Sequence, residues 1–442
     1  MKIATAISVL GIALGAVGPA SAVTVRSGTV NGIAADIWSW TDSAGMPRTV
    51  ALKKEGAGNS GHGGYAIQMT YFGTTAAGKP LKVVVNAESG GDGGFGYFVS
   101  HERYRLFTDK QYDTIASRIF HKDDSPLGLG FKATISKPAT PAGVGAERVT
   151  IQYGHYGTVA PDPVNPDTGD DSTPLSLTAS NYAFYPMPVA TTWVFQDGLD
   201  YPRIDVSIDL SQVVPPGGAT PKADLVSFDV RGPYGVMVFD NGADGIVRSV
   251  AWGDQEFSFA PTKVPVTRNS GWNWKLRNTG ARYQALYAGR YEMGLYEPRR
   301  ATTSPLVDGY APERGFTSTA FAASDGTSYS SCGDQQVLPS DGTWPYQSVQ
   351  YSLPCGSAGD LNTPTDGKKI AWGSTAYFGT SLTNVYNGQK SFPFKGFPAN
   401  HKIAYSVCLV LGQTDNGVLT KTAAAAYAKP NPVSECATQA VH

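Results

Sequence analysis

Hydrophobic and polar positions alternate with a period of two along much of this chain. The clearest case runs from 191 to 210. Thr191–Phe195 reads as a strand, Gln196–Asp200 as a turn and Tyr201–Leu210 as the return strand. In the return, Ile204, Val206, Ile208 and Leu210 alternate with Arg203, Asp205, Ser207 and Asp209. That pattern gives one buried and one polar face. Val226, Phe228 and Val230 repeat it before an expected turn at Gly232-Pro233-Tyr234-Gly235, with Val236–Phe239 as partner. Further strands are predicted over 65–72, 81–86, 148–153, 246–252, 283–295, 370–378 and 403–411, separated by Gly, Pro, Asn and Asp. One stretch departs from the pattern. Tyr112, Ile115, Ala116 and Ile119 fall at i, i+3, i+4 and i+7, which predicts a helix near 109–120 capped by Thr108 or Asp109. A second short helix is predicted over Lys421–Tyr427. The expectation is an all-β fold, a large antiparallel β-sandwich with one or two short helices.

Composition narrows the class. The 442 residues include 51 Gly and 30 Pro, too many for long helices. Aromatics at 11% and charged residues at 16% argue against disorder. The formal net charge of −1 supplies no general field for nucleic acid. Lys2, the apolar run Ile3–Val17 and the small residues Ala20-Ser21-Ala22 read as a secretory signal over 1–22. The run is too short to span a bilayer, so no membrane partner is expected after cleavage. The remainder, 23–442, is expected to form a single large domain, secreted or periplasmic. The four cysteines, Cys332, Cys355, Cys408 and Cys436, fall late in the chain. In an exported protein they suggest disulfides in a C-terminal part from about 326. Sequence neighbours would pair as Cys332–Cys355 and Cys408–Cys436, one of three connectivities. No CxxC occurs and no His stands at ligand spacing from a Cys, so structural zinc is not expected.

The hairpin Trp193–Val206 resembles that of the galactose-mutarotase-like supersandwich carbohydrate-active proteins. The apolar run 402–411, Lys-Ile-Ala-Tyr-Ser-Val-Cys-Leu-Val-Leu, is similar to the closing strand of such sheets. The two passages cover about a tenth of the chain and concern the fold more than a chemistry. The resemblance implies a class that includes glycoside hydrolases, polysaccharide lyases and epimerases.

Several mechanisms have no sequence support. There is no G-x-S-x-G elbow (Gly58-Asn59-Ser60-Gly61-His62 ends in His), no phosphate-binding loop, no dinucleotide fingerprint and no HExxH. Six histidines are present. His62 lies among glycines, His101 in the polar stretch Ser100–Arg105 with Arg103, and His121 before Asp123 and Asp124. His155 and Tyr156 are flanked by Gly154 and Gly157, which leave room for a ligand near the backbone. The segment 271–297 is the second candidate. There Arg290, Glu292 and Tyr296 would share one strand face, with Trp272 and Trp274 as sugar-stacking rings and Asn273 and Arg282 nearby. The alternative is a cross-strand ion pair with core tryptophans.

A uronate lyase must neutralise a carboxylate, remove the adjacent proton and protonate the leaving oxygen. His155, Tyr156, Arg290 and Glu292 are the catalytic candidates. His101, Arg103, Trp272, Asn273, Trp274, Arg282 and Tyr296 are the substrate-binding ones. A glycoside hydrolase would need two carboxylates, Glu292 with Glu88 or Glu313. A non-catalytic glycan-binding protein is the third reading. No cofactor is expected. Asp162, Asn165, Asp167, Asp170 and Asp171 offer oxygens to structural calcium but lack EF-hand spacing, so a solvated loop is expected there. The expected partner is a polysaccharide, not nucleic acid.

Overall fold

The computed structural model describes residues 22–58, 63–75, 77–87, 94–105, 115–121, 133–158, 182–209, 225–239, 247–253, 260–265, 283–296, 334–336, 347–352, 370–376 and 402–413. Twenty strands occur among them. The first seven are β1 (Thr24–Val30), β2 (Ile33–Thr41), β3 (Pro47–Lys53), β4 (Ala66–Thr74), β5 (Pro80–Ala87), β6 (Gly94–Arg105) and β7 (Ile115–His121). Next come β8 (Thr134–Ser136), β9 (Val144–Thr158), β10 (Tyr182–Gln196), β11 (Arg203–Asp209), β12 (Leu225–Phe239), β13 (Val247–Gly253) and β14 (Ala260–Pro265). The last six are β15 (Tyr283–Ala288), β16 (Tyr291–Tyr296), β17 (Asp334–Gln336), β18 (Gln347–Ser352), β19 (Ile370–Ala376) and β20 (Lys402–Gln413).

They form two sheets. An eleven-stranded sheet runs β1-β2-β3-β4-β5-β12-β19-β18-β17, with β6 pairing β12, β4 and β7. A nine-stranded sheet runs β14-β13-β15-β16-β20-β11-β10-β9-β8. The strand pairs are antiparallel, as in hairpin-built sandwiches. The sheets face each other through β2 on β10, β4 on β20 and β6 on β9. The described residues are thus an all-β sandwich. The two passages that carry the resemblance are neighbours in it, because β11 pairs β10 on one side and β20 on the other.

The interior is dense with aromatics. Trp38 stacks on Phe195 (centroids 5.1 Å, 20° between planes), and Trp193 meets Phe95 edge-on (6.3 Å, 82°). The backbone at Gly64 (φ +90°) lies so close to β9 that a Cβ there would stand 2.3 Å from Val149. Only glycine fits both the conformation and the approach.

Three expectations are corrected. Residues 115–120 belong to β7, which pairs β6 from Ile115↔Arg105 to His121↔Val99, so no helix covers them. Ile115 and Ile119 also stand at an even spacing that fits a strand, and β-branched residues favour one. Gly232-Pro233-Tyr234-Gly235 is not a hairpin turn. β12 runs straight through it, with a register shift between Arg231 and Tyr234 against both neighbours. A bulge excuses the N–H that Pro233 lacks. The stretch 283–295 is two strands, β15 and β16, joined at Gly289-Arg290.

The expected signal segment, apart from Ala22, lies outside the described residues. So do the 421–427 helix, the acidic loop 162–171, and Cys332, Cys355 and Cys436. Cys408 is fully buried within β20.

Candidate functional site

The site is built on the long β9–β10 ribbon, which pairs without a register shift from Val144↔Gln196 to Thr158↔Tyr182. Unbroken pairing means alternation carries through the whole ribbon. One face is fixed by contacts with the opposite sheet. Glu147 accepts a hydrogen bond from Trp38 Nε1 at 2.8 Å, and Trp193 Nε1 donates to the Gly64 carbonyl at 3.2 Å. Glu147, Val149 and Ile151 of β9 are buried, as are Val189, Thr191, Trp193 and Phe195 of β10. The register continues along the ribbon through Tyr153↔Met187 to His155↔Tyr185, so His155 and Tyr185 are direct partners. Tyr156 pairs with Phe184.

β10 outruns its neighbour here. Its pairing with β11 extends from Val194 to Val189, while its pairing with β9 continues to Tyr182. Pro186 and Pro188 lie in this overhang, where a missing N–H costs no bond to β11.

The other expected residues scatter. Tyr296 is level with Cys408, Arg203, Val194 and Ala146 across the sheet. His155 lies about nine residues beyond Ala146 on β9, and Glu292 about four residues from Tyr296 in the opposite direction. At about 3.3 Å per residue the two are about 40 Å apart along the strands, and about 19 Å apart across four strand spacings. The register does not bring Arg290, Glu292 or Tyr296 to His155. Arg290 is half-buried in the β15–β16 turn, and Glu292 is fully buried rather than on a groove floor. His101 and Arg103 lie on β6 of the other sheet, within a strand and not a loop. Trp272, Asn273, Trp274, Arg282, Glu88 and Glu313 lie outside the described residues.

Tyr185 escaped the sequence reading. The run Tyr182-Ala183-Phe184-Tyr185 precedes two prolines, which hid the strand. Extending the alternation back from Thr191 through Val189 and Met187 reaches it.

Two carboxyls near the ribbon's base have opposed proton affinities. Burial drives Glu147 up to about 7, with the Asp36 charge adding to it and the Trp38 hydrogen bond opposing. Burial also pushes Asp36 up, but Lys137 and Ser27 hydrogen bonds and the Lys137 and Lys54 charges outweigh it and hold Asp36 below its ordinary value. Lys137 Nζ stands 2.6 Å from Asp36 Oδ2 and Lys54 Nζ 3.4 Å from Oδ1. Such a split resembles an acid–base pair. Both carboxyls are buried, however, Glu147 at 1% and Asp36 at 6% exposure, and each is committed to neighbouring strands. Among the described residues no group of three or more His, Cys, Asp or Glu is arranged to hold a metal ion.

No protein-family model matches the chain, and no curated protein matches it. Among solved structures, a protein in the glycosyl hydrolase family 38 from Enterococcus faecalis is similar over 92% of this chain at 8% identity, with a TM-score of 0.34. This chain spans 39% of that one's length.

Proposed function

We propose that this is a secreted carbohydrate-active enzyme that cleaves an acidic extracellular polysaccharide by β-elimination. The observation that carries the reading is the register pairing of His155 with Tyr185 on the β9–β10 overhang. An imidazole and a phenol are the two groups that elimination needs. One takes the proton from the carbon beside the uronate carboxyl. The C–H electron pair becomes the new C=C bond, the glycosidic C–O bond breaks, and the other group protonates the departing oxygen. The polysaccharide class is supported by the adjacency of β10, β11 and β20, the strands on which the supersandwich resemblance rests. Tyr185, the register partner of His155, takes the place first given to Tyr156. Asn273 remains the candidate for neutralising the uronate.

The test follows ultraviolet absorbance and reducing ends together on uronate-containing and neutral polysaccharides. Elimination raises both signals on the acidic chain. His155→Ala and Tyr185→Phe should each slow it by about a hundredfold or more, the usual loss for a proton-transfer group, without moving the melting temperature. Full turnover in the double variant would reject the pair. Reducing ends without absorbance would make the protein a hydrolase, and silence in both would make it a glycan-binding protein.

A further inference from the structure

The two faces of the nine-stranded sheet can be told apart at β20. Trp193 of β10 donates to the Gly64 carbonyl, next to β4 of the other sheet; it is level with Ile204, and Ile204 with Val407. Tyr291 of β16 packs on Phe239 of the other sheet, with centroids 5.8 Å apart, and is level with Gln413. Both contacts put the odd-numbered residues of β20 inside, and its pairing shows no register shift between them. Ser406, Cys408, Val410 and Gly412 therefore belong to the outer face. There Ser406 Oγ donates to Asp205 Oδ1 at 2.5 Å.

That outer face is not uniformly open. On β11, Arg203, Asp205 and Ser207 are half-buried. One strand over, Cys408 and Val410 are fully buried, and so is Glu292 of β16, opposite Gly412. Tyr287 of β15, opposite Glu292, is buried too, as are Gly294 and Gly412. The two sheets account for every described strand, so none of those strands lies over this face. A sheet side this dry has a further layer packed on it.

Cys408 identifies the layer. It is disulfide-bonded, and it belongs to the covered face. Bridged Cα atoms stand about 5–6 Å apart, so the partner's Cα lies about that far beyond the sheet. Sheets pack about 10 Å apart, which puts the partner about 15 Å from the eleven-stranded sheet. Cys332 stands two residues before Asp334 of β17 and Cys355 three after Ser352 of β18, and both strands belong to the eleven-stranded sheet. Two or three residues span at most about 7–11 Å, so neither cysteine reaches Cys408. They can reach each other, because Asp334 and Ser352 are register partners at the end of the β17–β18 hairpin. Cys436 remains. The chain runs on to it from the end of β20 through Ala423-Ala424-Ala425-Ala426-Tyr427-Ala428, an uncharged run of mostly small residues that suits a face containing Gly294 and Gly412.

We infer that Cys408 is bridged to Cys436 and Cys332 to Cys355, and that the first bridge ties the segment 414–442 over the outer face of β15, β16 and β20. The segment is then a covalently fastened strap, and its release uncovers Glu292 and Tyr287. β9 and β10, which carry His155 and Tyr185, are not among the covered strands.

Digestion of the unreduced full chain, with mass spectrometry of the linked peptides, tests the bridges. Cys408 should be recovered joined to Cys436, and Cys332 joined to Cys355. A peptide joining Cys408 to Cys332 or Cys355 overturns the assignment, and so does alkylation of Cys408 in the unfolded, unreduced chain. The strap is tested with Cys436→Ser, which leaves the buried Cys408 in place. Carbodiimide coupling followed by peptide mapping reads the accessibility of Glu292. In the parent its carboxyl should stay unmodified. In Cys436→Ser it should gain the label, and the melting temperature should fall, as it does when a native disulfide is lost. If that variant does not fold, brief reduction of the parent with a thiol gives the same comparison on the native sequence. The double variant Cys332→Ser with Cys355→Ser should keep Glu292 unmodified, which separates the strap from a general loss of disulfides. Glu292 unmodified after release of Cys436, or labelled in the double variant, means that another segment covers the face and overturns the strap.

Discussion

Two of the places where the described residues bury ionisable groups between the sheets are handled differently. At one, Arg48 of β3 is 7% exposed and its Nε lies 3.0 Å from Asp42 Oδ2. The guanidinium also donates to the Leu411 carbonyl of β20 at 2.8 Å and lies over the rings of Tyr71 and Tyr201. Asp42 Oδ1 accepts from the backbone N–H of Ala44 and Met46. Tyr71 donates to the Gly412 carbonyl at 2.6 Å. Burial holds the Tyr71 phenol protonated far above its ordinary range; Arg48 opposes this, and Glu292 adds to it. At the other place, Glu147 has the neutral Trp38 N–H as donor, and its proton affinity rises instead. The lesson is that one interior tolerates charge either by pairing it within the fold or by leaving it protonated.

The largest effect is expected at the paired place. Arg48→Met leaves Asp42 buried without its guanidinium partner, and leaves the Leu411 carbonyl without this donor. Removing one partner of a buried pair costs about 3–5 kcal/mol. Denaturant unfolding should show that loss. Adding Asp42→Asn should recover part of it, because the uncompensated charge is gone. A loss below about 1 kcal/mol would mean that water reaches Asp42.

Glu147 should make stability depend on pH over a different window. Its carboxyl binds a proton more tightly in the folded chain, at about 7, than at its ordinary value of 4.5. The native state therefore holds more protons between those values, and stability falls as pH rises through them. The full difference is about 3 kcal/mol, from roughly 1.4 kcal/mol per unit. Asp36 has the opposite sign: its contribution is present above its unfolded value of 3.8 and is lost as pH falls through the lower folded one. Glu147→Gln keeps an acceptor for Trp38 and removes the charge. Its unfolding free energy should be flat between pH 5 and 8, where that of the parent declines. Parallel curves for the two would show that Glu147 ionises freely in the fold.

Neither place was legible in the sequence, and the reason is distance along the chain. Trp38 and Glu147 are 109 residues apart, and Arg48 and Leu411 are 363 apart. Each of these charged residues reads singly as an ordinary strand residue. The β10–β11 hairpin was legible because its alternation is long and its turn is local. β7 was misread because Ile115 and Ile119, four apart, fit the period of a strand as well as that of a helix. The β12 bulge was misread as a turn because Gly-Pro serves either. The candidate site was half legible. Glycines beside His155 marked the strand, but its partner Tyr185 lies across a ribbon that only pairing reveals.

Lys137→Met gives the smallest effect and the finest separation of the two carboxyls. Lys137 is the cation closest to Asp36 and also lowers the affinity of Glu147. Its side chain is 41% exposed, so solvent screens the pair and its loss should change stability at neutral pH by about 1 kcal/mol or less. The titration should respond more clearly. Asp36 loses a hydrogen bond and a charge, so its folded affinity rises and the acid limb of the stability curve moves toward neutral pH. Glu147 loses only the charge, so its limb should move the same way by a smaller amount. Carbon-13 spectra of the two carboxyls across pH would record both shifts. A larger shift at Glu147 than at Asp36 would mean that the Trp38 hydrogen bond depends on Lys137, and that the two carboxyls form one coupled network along β2 and β9.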